Sequence, residues 1–168
     1  AESSLQITAA VTAQAHRAAR HDERIASHPW LARATRYCFD RIREIEERPF
    51  AYVLMFSVVP VSVMEHDDPE AAELLAHLFR FVPADGAVPV EGGAEGETVR
   101  LTSEPGMPLH GLLDAQAVAD DVDGLERAQL PDGGWPVDFD SFSPAAALEW
   151  RGYTTVNAVA TLRAHGRV

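Results

Sequence analysis

From Leu5 to Arg20, the apolar positions Ile7, Val11, Ala15 and Ala18 recur every three or four residues. This is the period of one helical face, so the spacing predicts a helix with those four side chains inward. Ser27-His28-Pro29 breaks the pattern. A second helix is expected from Trp30 to Arg48. Leu31, Ala34, Cys38, Ile42 and Ile45 form its apolar stripe, and eight Arg and Glu side chains form its wet face. Glu44 and Arg48 stand at i,i+4 in the favourable order, a pairing worth about 0.3 kcal/mol.

Phe50 to Met64 is apolar on every side. A helix of that kind must be buried all round. The β-branched Val58, Val59 and Val61 leave a strand open, but helical neighbours on both sides favour a helix. Asp68-Pro69-Glu70 is a helix start, with a capping carboxylate, proline at the first position and an acid in the first turn. Ala71, Leu74, Leu75, Leu78, Phe79 and Val82 follow at helical spacing.

Residues 83–111 are dense in glycine and proline and carry no helical period. They read as a long loop with short extended pieces near 88–90 and 98–101. Leu112 to Gln129 returns to helix, with Ala115, Val118, Val122 and Leu125 inward. After a second loop, Ser143-Pro144 opens a short helix through Trp150, and Gly152 is expected to break it. Tyr153 to His165 forms the last helix, with Val156, Val159 and Leu162 inward and Gly166 as its stop. Six or seven helices joined by loops predict an all-α fold of stacked helical hairpins, as one domain over 1–168.

Composition narrows the chemistry. The chain has 168 residues and a net charge of −12, which argues against nucleic acid or an anionic membrane surface as partner. All 14 basic residues are arginine, so Schiff-base and P-loop lysine chemistry are excluded. The absence of lysine, with Asn157 as the single asparagine, reads as high-GC coding. Cys38 is the only cysteine, which rules out an internal disulfide and a Cys-rich zinc site. The longest apolar run, 50–64, contains Pro60 and falls short of the roughly 20 residues of a membrane span. No leader pattern opens the chain, so a cytoplasmic location is expected. The missing initial methionine suggests processing or a piece of a longer protein.

The segment Leu125-Glu-Arg-Ala-Gln129-Leu-Pro-Asp-Gly133-Gly-Trp135 fits the pattern apolar-x-x-x-Gln-x-x-x-Gly-x-Trp. A helix ends near Gln129, and glycine supplies the positive φ that the following turn needs. The indole can then fold back over the helix end while the Gln129 amide bonds the turn or stacks on the ring. This segment resembles the QW repeat of the terpenoid cyclase and prenyltransferase superfamily. The chain as a whole resembles the C-terminal part of bacterial toroid proteins of that kind. The resemblance implies stacked hairpins forming part of an α/α-toroid. An N-terminal half of the same protein, or another protomer, would complete the ring. It implies binding or processing of an isoprenoid or other apolar ligand, with Phe50 to Met64 along the cavity.

The family's catalytic patterns are not matched. Class II cyclases use Asp-x-Asp-Asp as the acid, whereas this chain has Asp120-Asp121-Val122-Asp123, the reverse order. Class I enzymes use Asp-Asp-x-x-Asp, whose fifth position here is Gly124. Asp120, Asp121 and Asp123 are the candidate acids, against a plainer reading as a solvated helix face with Asp123 paired to Arg127. Cys38 lacks the Asp-x-Cys order of zinc-dependent prenyltransferases and lies on a core stripe. Glu73 and His77 share a face without a third ligand, and Asp138-Phe139-Asp140 reads as a hydrated turn. No metal and no cofactor are expected. Trp135, Phe139, Phe142, Trp150 and Tyr153 are the candidate pocket aromatics, whose π faces would steady a carbocation. The alternative for each is packing between helices. The competing function is a non-catalytic helical-repeat module for protein–protein interaction.

Overall fold

The computed structural model describes residues 3–64, 67–91, 98–101, 111–137 and 141–168. They form seven helices and one two-stranded sheet, the mostly helical architecture that the periodicity predicts. The chain divides into two compact units, residues 1–101 and 102–168.

The first unit holds α1 (Leu5–Ala19), α2 (Glu23–Ala26), α3 (Pro29–Arg43), α4 (Ala51–Met64) and α5 (Pro69–Phe79). Three of these starts have a side-chain cap. Asp22 Oδ1 accepts the Arg24 N–H at 2.9 Å and opens α2, a turn that the apolar pattern did not mark. His28 Nδ1 accepts the Trp30 N–H at 3.2 Å, with Pro29 in the first turn of α3. Asp68 Oδ1 accepts the Glu70 N–H at 2.9 Å at the head of α5, as its cap-and-proline signature predicts.

Helix α4 is the centre of this unit. It packs against α1, α5 and the sheet. Leu54, Val58 and Val61 are wholly buried, and helix it is, despite its β-branched run. Pro60 sits inside α4 and is itself buried. Burial of the surrounding apolar side chains offsets the backbone hydrogen bond that proline removes.

Two expectations are corrected here, and a third is borne out. The buried face of α1 is Ala9, Thr12 and Ala13, while Ile7 and Val11 are 61% and 50% exposed. Close approach to α4 selects the small side chains, and the larger apolar ones turn outward. Helix α3 stops at Arg43 rather than Arg48, so Glu44 and Arg48 do not meet on a helix. Glu44 instead pairs with Arg41 at 2.7 Å. In the 83–111 stretch, β1 (Ala87–Pro89) and β2 (Thr98–Arg100) pair antiparallel, with Val88 opposite Val99 and both buried. The extended pieces near 88–90 and 98–101 are therefore real strands.

The second unit is a hairpin of α6 (Ala115–Arg127) and α7 (Pro144–Ala164). Asp114 caps α6 by accepting the N–H groups of Gln116 and Ala117 at 2.8 and 2.9 Å. Ser143 caps α7 through the Ala146 N–H at 3.2 Å. Helix α7 runs unbroken through Gly152, which corrects the expected break. A helical glycine costs about 1 kcal/mol against alanine but keeps its backbone hydrogen bonds. Val118 and Val122 are buried as expected, whereas Ala115 and Val156 are exposed. One continuous helix sets a single rotational phase, and that phase turns Ala158 and Leu162 inward and Val156 out.

Ser57 Oγ in α4 is buried without a hydrogen-bond partner among the described residues. Ser57→Ala is therefore expected to leave the unfolding free energy unchanged or raise it by about 1–3 kcal/mol. Leu54→Ala in the same helix should lose about 2–5 kcal/mol. Urea titrations followed by helical circular dichroism check both, and a clear loss in the serine variant refutes the unsatisfied hydroxyl.

Candidate functional site

The residues joining α6 to α7 form a tight clasp. Gln129 Nε2 donates to the Gly133 carbonyl at 3.0 Å. The Leu130 N–H bonds the Gly134 carbonyl at 2.8 Å, and the Gly133 N–H bonds the Leu130 carbonyl at 2.8 Å. Gly133 has φ +85°, in the left-handed region. Gly134 has a different role. A Cβ there would come within 2.7 Å of Arg151 Nη2 and 3.3 Å of Thr155 Oγ1, so its missing side chain lets α7 approach.

This turn delivers Trp135 to the core. The indole is 3% exposed and packs with Val122, Ala158 and Leu162, with Leu125 and Val159 around them. Its Nε1–H donates to the Leu125 carbonyl at 2.7 Å, near the C-terminus of α6, where that carbonyl otherwise takes only the Ala128 N–H at 3.2 Å. Its backbone N–H donates to Thr155 Oγ1 on α7 at 3.1 Å. Asp132 receives the Arg151 guanidinium and, at 3.2 Å, the Gly134 N–H. The Arg151 hydrogen bond is the chief reason that the Asp132 carboxyl is held below its usual range.

The three candidate acids lie on α6. Asp120 is exposed and accepts a hydrogen bond from Gln116 Nε2 at 2.8 Å. Asp123 pairs with Arg167, not with the Arg127 side chain, whose Nε donates to the Asp123 backbone carbonyl at 3.1 Å. Asp121 is half-buried. No Asp or Glu among the described residues is buried. The carboxyls displaced from their ordinary ionisation, Asp22, Glu70 and Asp132, are all pushed down by arginine hydrogen bonds.

The aromatics separate. Trp135 is buried, while Phe142, Trp150 and Tyr153 are exposed. Trp150 and Tyr153 meet edge-to-face at 5.7 Å on α7. Phe139, with Asp138 and Asp140, lies outside the described residues. His77 uses both ring nitrogens. Nε2 lies 2.8 Å from the Ile45 carbonyl, and Nδ1 lies 2.9 Å from Arg80 Nη2, so the Glu73–His77 pair is not poised for a metal. Cys38 is buried 3.9 Å from Thr12 Oγ1, and burial pushes its thiol pKa up, which makes it inert. No group of three or more metal-ligating side chains occurs among the described residues. Nor is any helix among them long and apolar enough to cross a membrane.

The sequence pattern missed one hollow. His16, Arg20, Thr35, Met64, Asp67 and Asp68 line an open depression of about 350 Å³ in the first unit. Thr35 Oγ1 donates to the Leu31 carbonyl at 2.9 Å, so the His16 Nε2–H donates to Thr35 at 2.8 Å. Arg20 Nη2 donates to the Val63 carbonyl at 2.9 Å. No helical period marks this grouping, because it joins residues from α1, α3 and the α4–α5 turn.

No family model, curated protein or solved structure matches this chain.

Two measurements test this geometry. Trp135→Ala removes the buried ring and should cost about 3–5 kcal/mol of stability in the second unit, against about 1 kcal/mol for Gln129→Ala at its exposed site. Denaturant unfolding ranks them, and equal costs would contradict the dominance of the indole. His16 gives a pH signature. Burial, and then Arg20, lower its pKa from 6.5. The unfolded chain thus takes up a proton first as pH falls. Stability is complete above pH 6.5 and declines below it, towards the folded-state pKa. His16→Gln should flatten that decline in urea titrations across the window, and an unchanged slope would refute it.

Proposed function

We propose that this chain is part of a terpenoid cyclase/prenyltransferase-like helical array that binds an apolar ligand of the isoprenoid class. The observation that carries the reading is the clasp. Leu125, Gln129, Gly133 and Trp135 not only share the spacing of the family motif but are tied by hydrogen bonds and packing between two helices. In such an array, further hairpins from an N-terminal portion or another protomer complete the curve.

In this reading no carboxylate among the described residues donates a proton to the ligand. An acid able to protonate an alkene must hold its proton near neutral pH, which requires burial or a neighbouring like charge. Asp120 is exposed and Asp123 is held by an arginine. The expected ligand is the neutral hydrocarbon portion of an isoprenoid. The net charge of −12 disfavours a free diphosphate.

A second reading, a non-catalytic helical module that binds protein, is favoured by the large apolar side chains that α1 and α7 leave in the open. Ile7, Val11, Leu148, Tyr153 and Val156 are each at least half exposed.

Thermal melting with squalene and with geranylgeranyl diphosphate tests the first reading. Saturation with the neutral polyprene should raise the melting temperature by several degrees, about 2.7 kcal/mol of stabilisation at a hundredfold excess over Kd. The diphosphate should act more weakly. Melting curves unmoved by both would remove the isoprenoid reading.

A further inference from the structure

We propose that α7 is the interface of a homodimer, pairing antiparallel with α7 of a second copy about a two-fold axis at Val156. The evidence is a stripe on its open face. Glu149, Tyr153, Val156, Ala160 and Arg163 follow one another at intervals of four, three, four and three residues, and all five are exposed. That alternation averages the 3.5-residue repeat of a helix–helix seam. The stripe is about 21 Å long at 1.5 Å per residue.

The stripe is complementary to itself when reversed. Across a two-fold axis at Val156, Glu149 of one copy faces Arg163 of the other at both ends. Of the stripe residues on the partner, the small Ala160 lies nearest the large Tyr153 ring, about 1.5 Å off its level, and Val156 meets its own counterpart. Charge, size and apolarity therefore all match in one register, as an isologous interface requires. Neither Glu149 nor Arg163 has an ion-pair partner among the described residues. Nothing within 4 Å would obstruct a Cβ at Gly152, so the backbone beside the stripe is open to a neighbour. One helix pair is a small interface, so the dimer is weak and reversible. The net charge of −12 on each copy opposes it at long range, and physiological salt screens that repulsion beyond about 8 Å.

This assignment names the partner for the protein-binding reading and does not depend on the isoprenoid one. Sedimentation equilibrium of the full chain tests it at about 1 to 200 µM in 0.15 M salt, a range that spans micromolar affinities. A monomer–dimer equilibrium is expected. Glu149→Arg or Arg163→Glu alone places like charges at both ends and should weaken it about tenfold. Mixing the two single variants restores opposite charges at both ends and should restore dimers. Circular dichroism melts verify that the surface variants fold. A chain monomeric throughout, reversals without effect, or a mixture that fails to recover would each overturn the proposal. Tyr153→Arg separates the two levels. If the chain is monomeric and this variant melts like the parent, α7 is open but does not self-pair, and only the homodimer falls. If the variant melts markedly lower, the face is covered within the chain, and the protein-binding reading of α7 falls with it.

Discussion

A helix with apolar side chains on all its sides needs cover on all its sides, and α4 is such a helix, whereas α7 mixes exposed apolar residues with Glu149, Arg151 and Arg163. Around α4, the first unit supplies α1, α5 and the sheet. Its β-branched residues and internal proline are tolerated because burial outweighs local preference. Around α7, the described residues of the second unit supply α6 and the turn that carries Trp135. The inner side, Ala158 and Leu162, is satisfied, and Tyr153 and Val156 are not. The homodimer proposal concerns what meets that remaining surface.

The clasp between α6 and α7 shows how one aromatic ring can organise a small hairpin. An indole is large enough to dominate a core of only a few side chains. Its N–H is costly to bury unpaired. In the last turn of α6 the Leu125 carbonyl keeps only a tightened bond from the Ala128 N–H at 3.2 Å, and the indole N–H takes its free lone pair. Gly133 bends the chain back, Gly134 makes room for Arg151 and Thr155, and Gln129 ties the turn to itself. The motif is therefore a packing device first. Its presence fits a protein built from several such hairpins without fixing what they enclose.

Among the described residues several arginines span elements to reach carboxylates: Arg36 and Arg43 reach from α3 to Glu70 on α5, Arg151 reaches Asp132, and Arg167 reaches Asp123 and Glu126. These exposed pairs orient surfaces and add little stability. At Glu70 and Asp132 the arginine hydrogen bonds lower the carboxyl pKa, the reverse of what proton-transfer chemistry requires.

The chain's own pattern determined the helices, the capped start at Asp68, the two short strands and the spacing from Leu125 to Trp135. These are local matters of period, hydrogen-bonding side chains and turn chemistry. Packing decided the rest. The face that α1 buries depends on how closely α4 can approach, so Ala9 and Ala13 displaced the larger Ile7 and Val11. Gly152 breaks no helix, because its cost is small beside the continuity of α7. The hollow at His16 draws on three separate elements, and Glu149 and Arg163 become a matched pair only once α7 is a single rod with one side filled. Period and composition act over a few residues, whereas which side of a helix meets solvent is settled by neighbours distant in the chain.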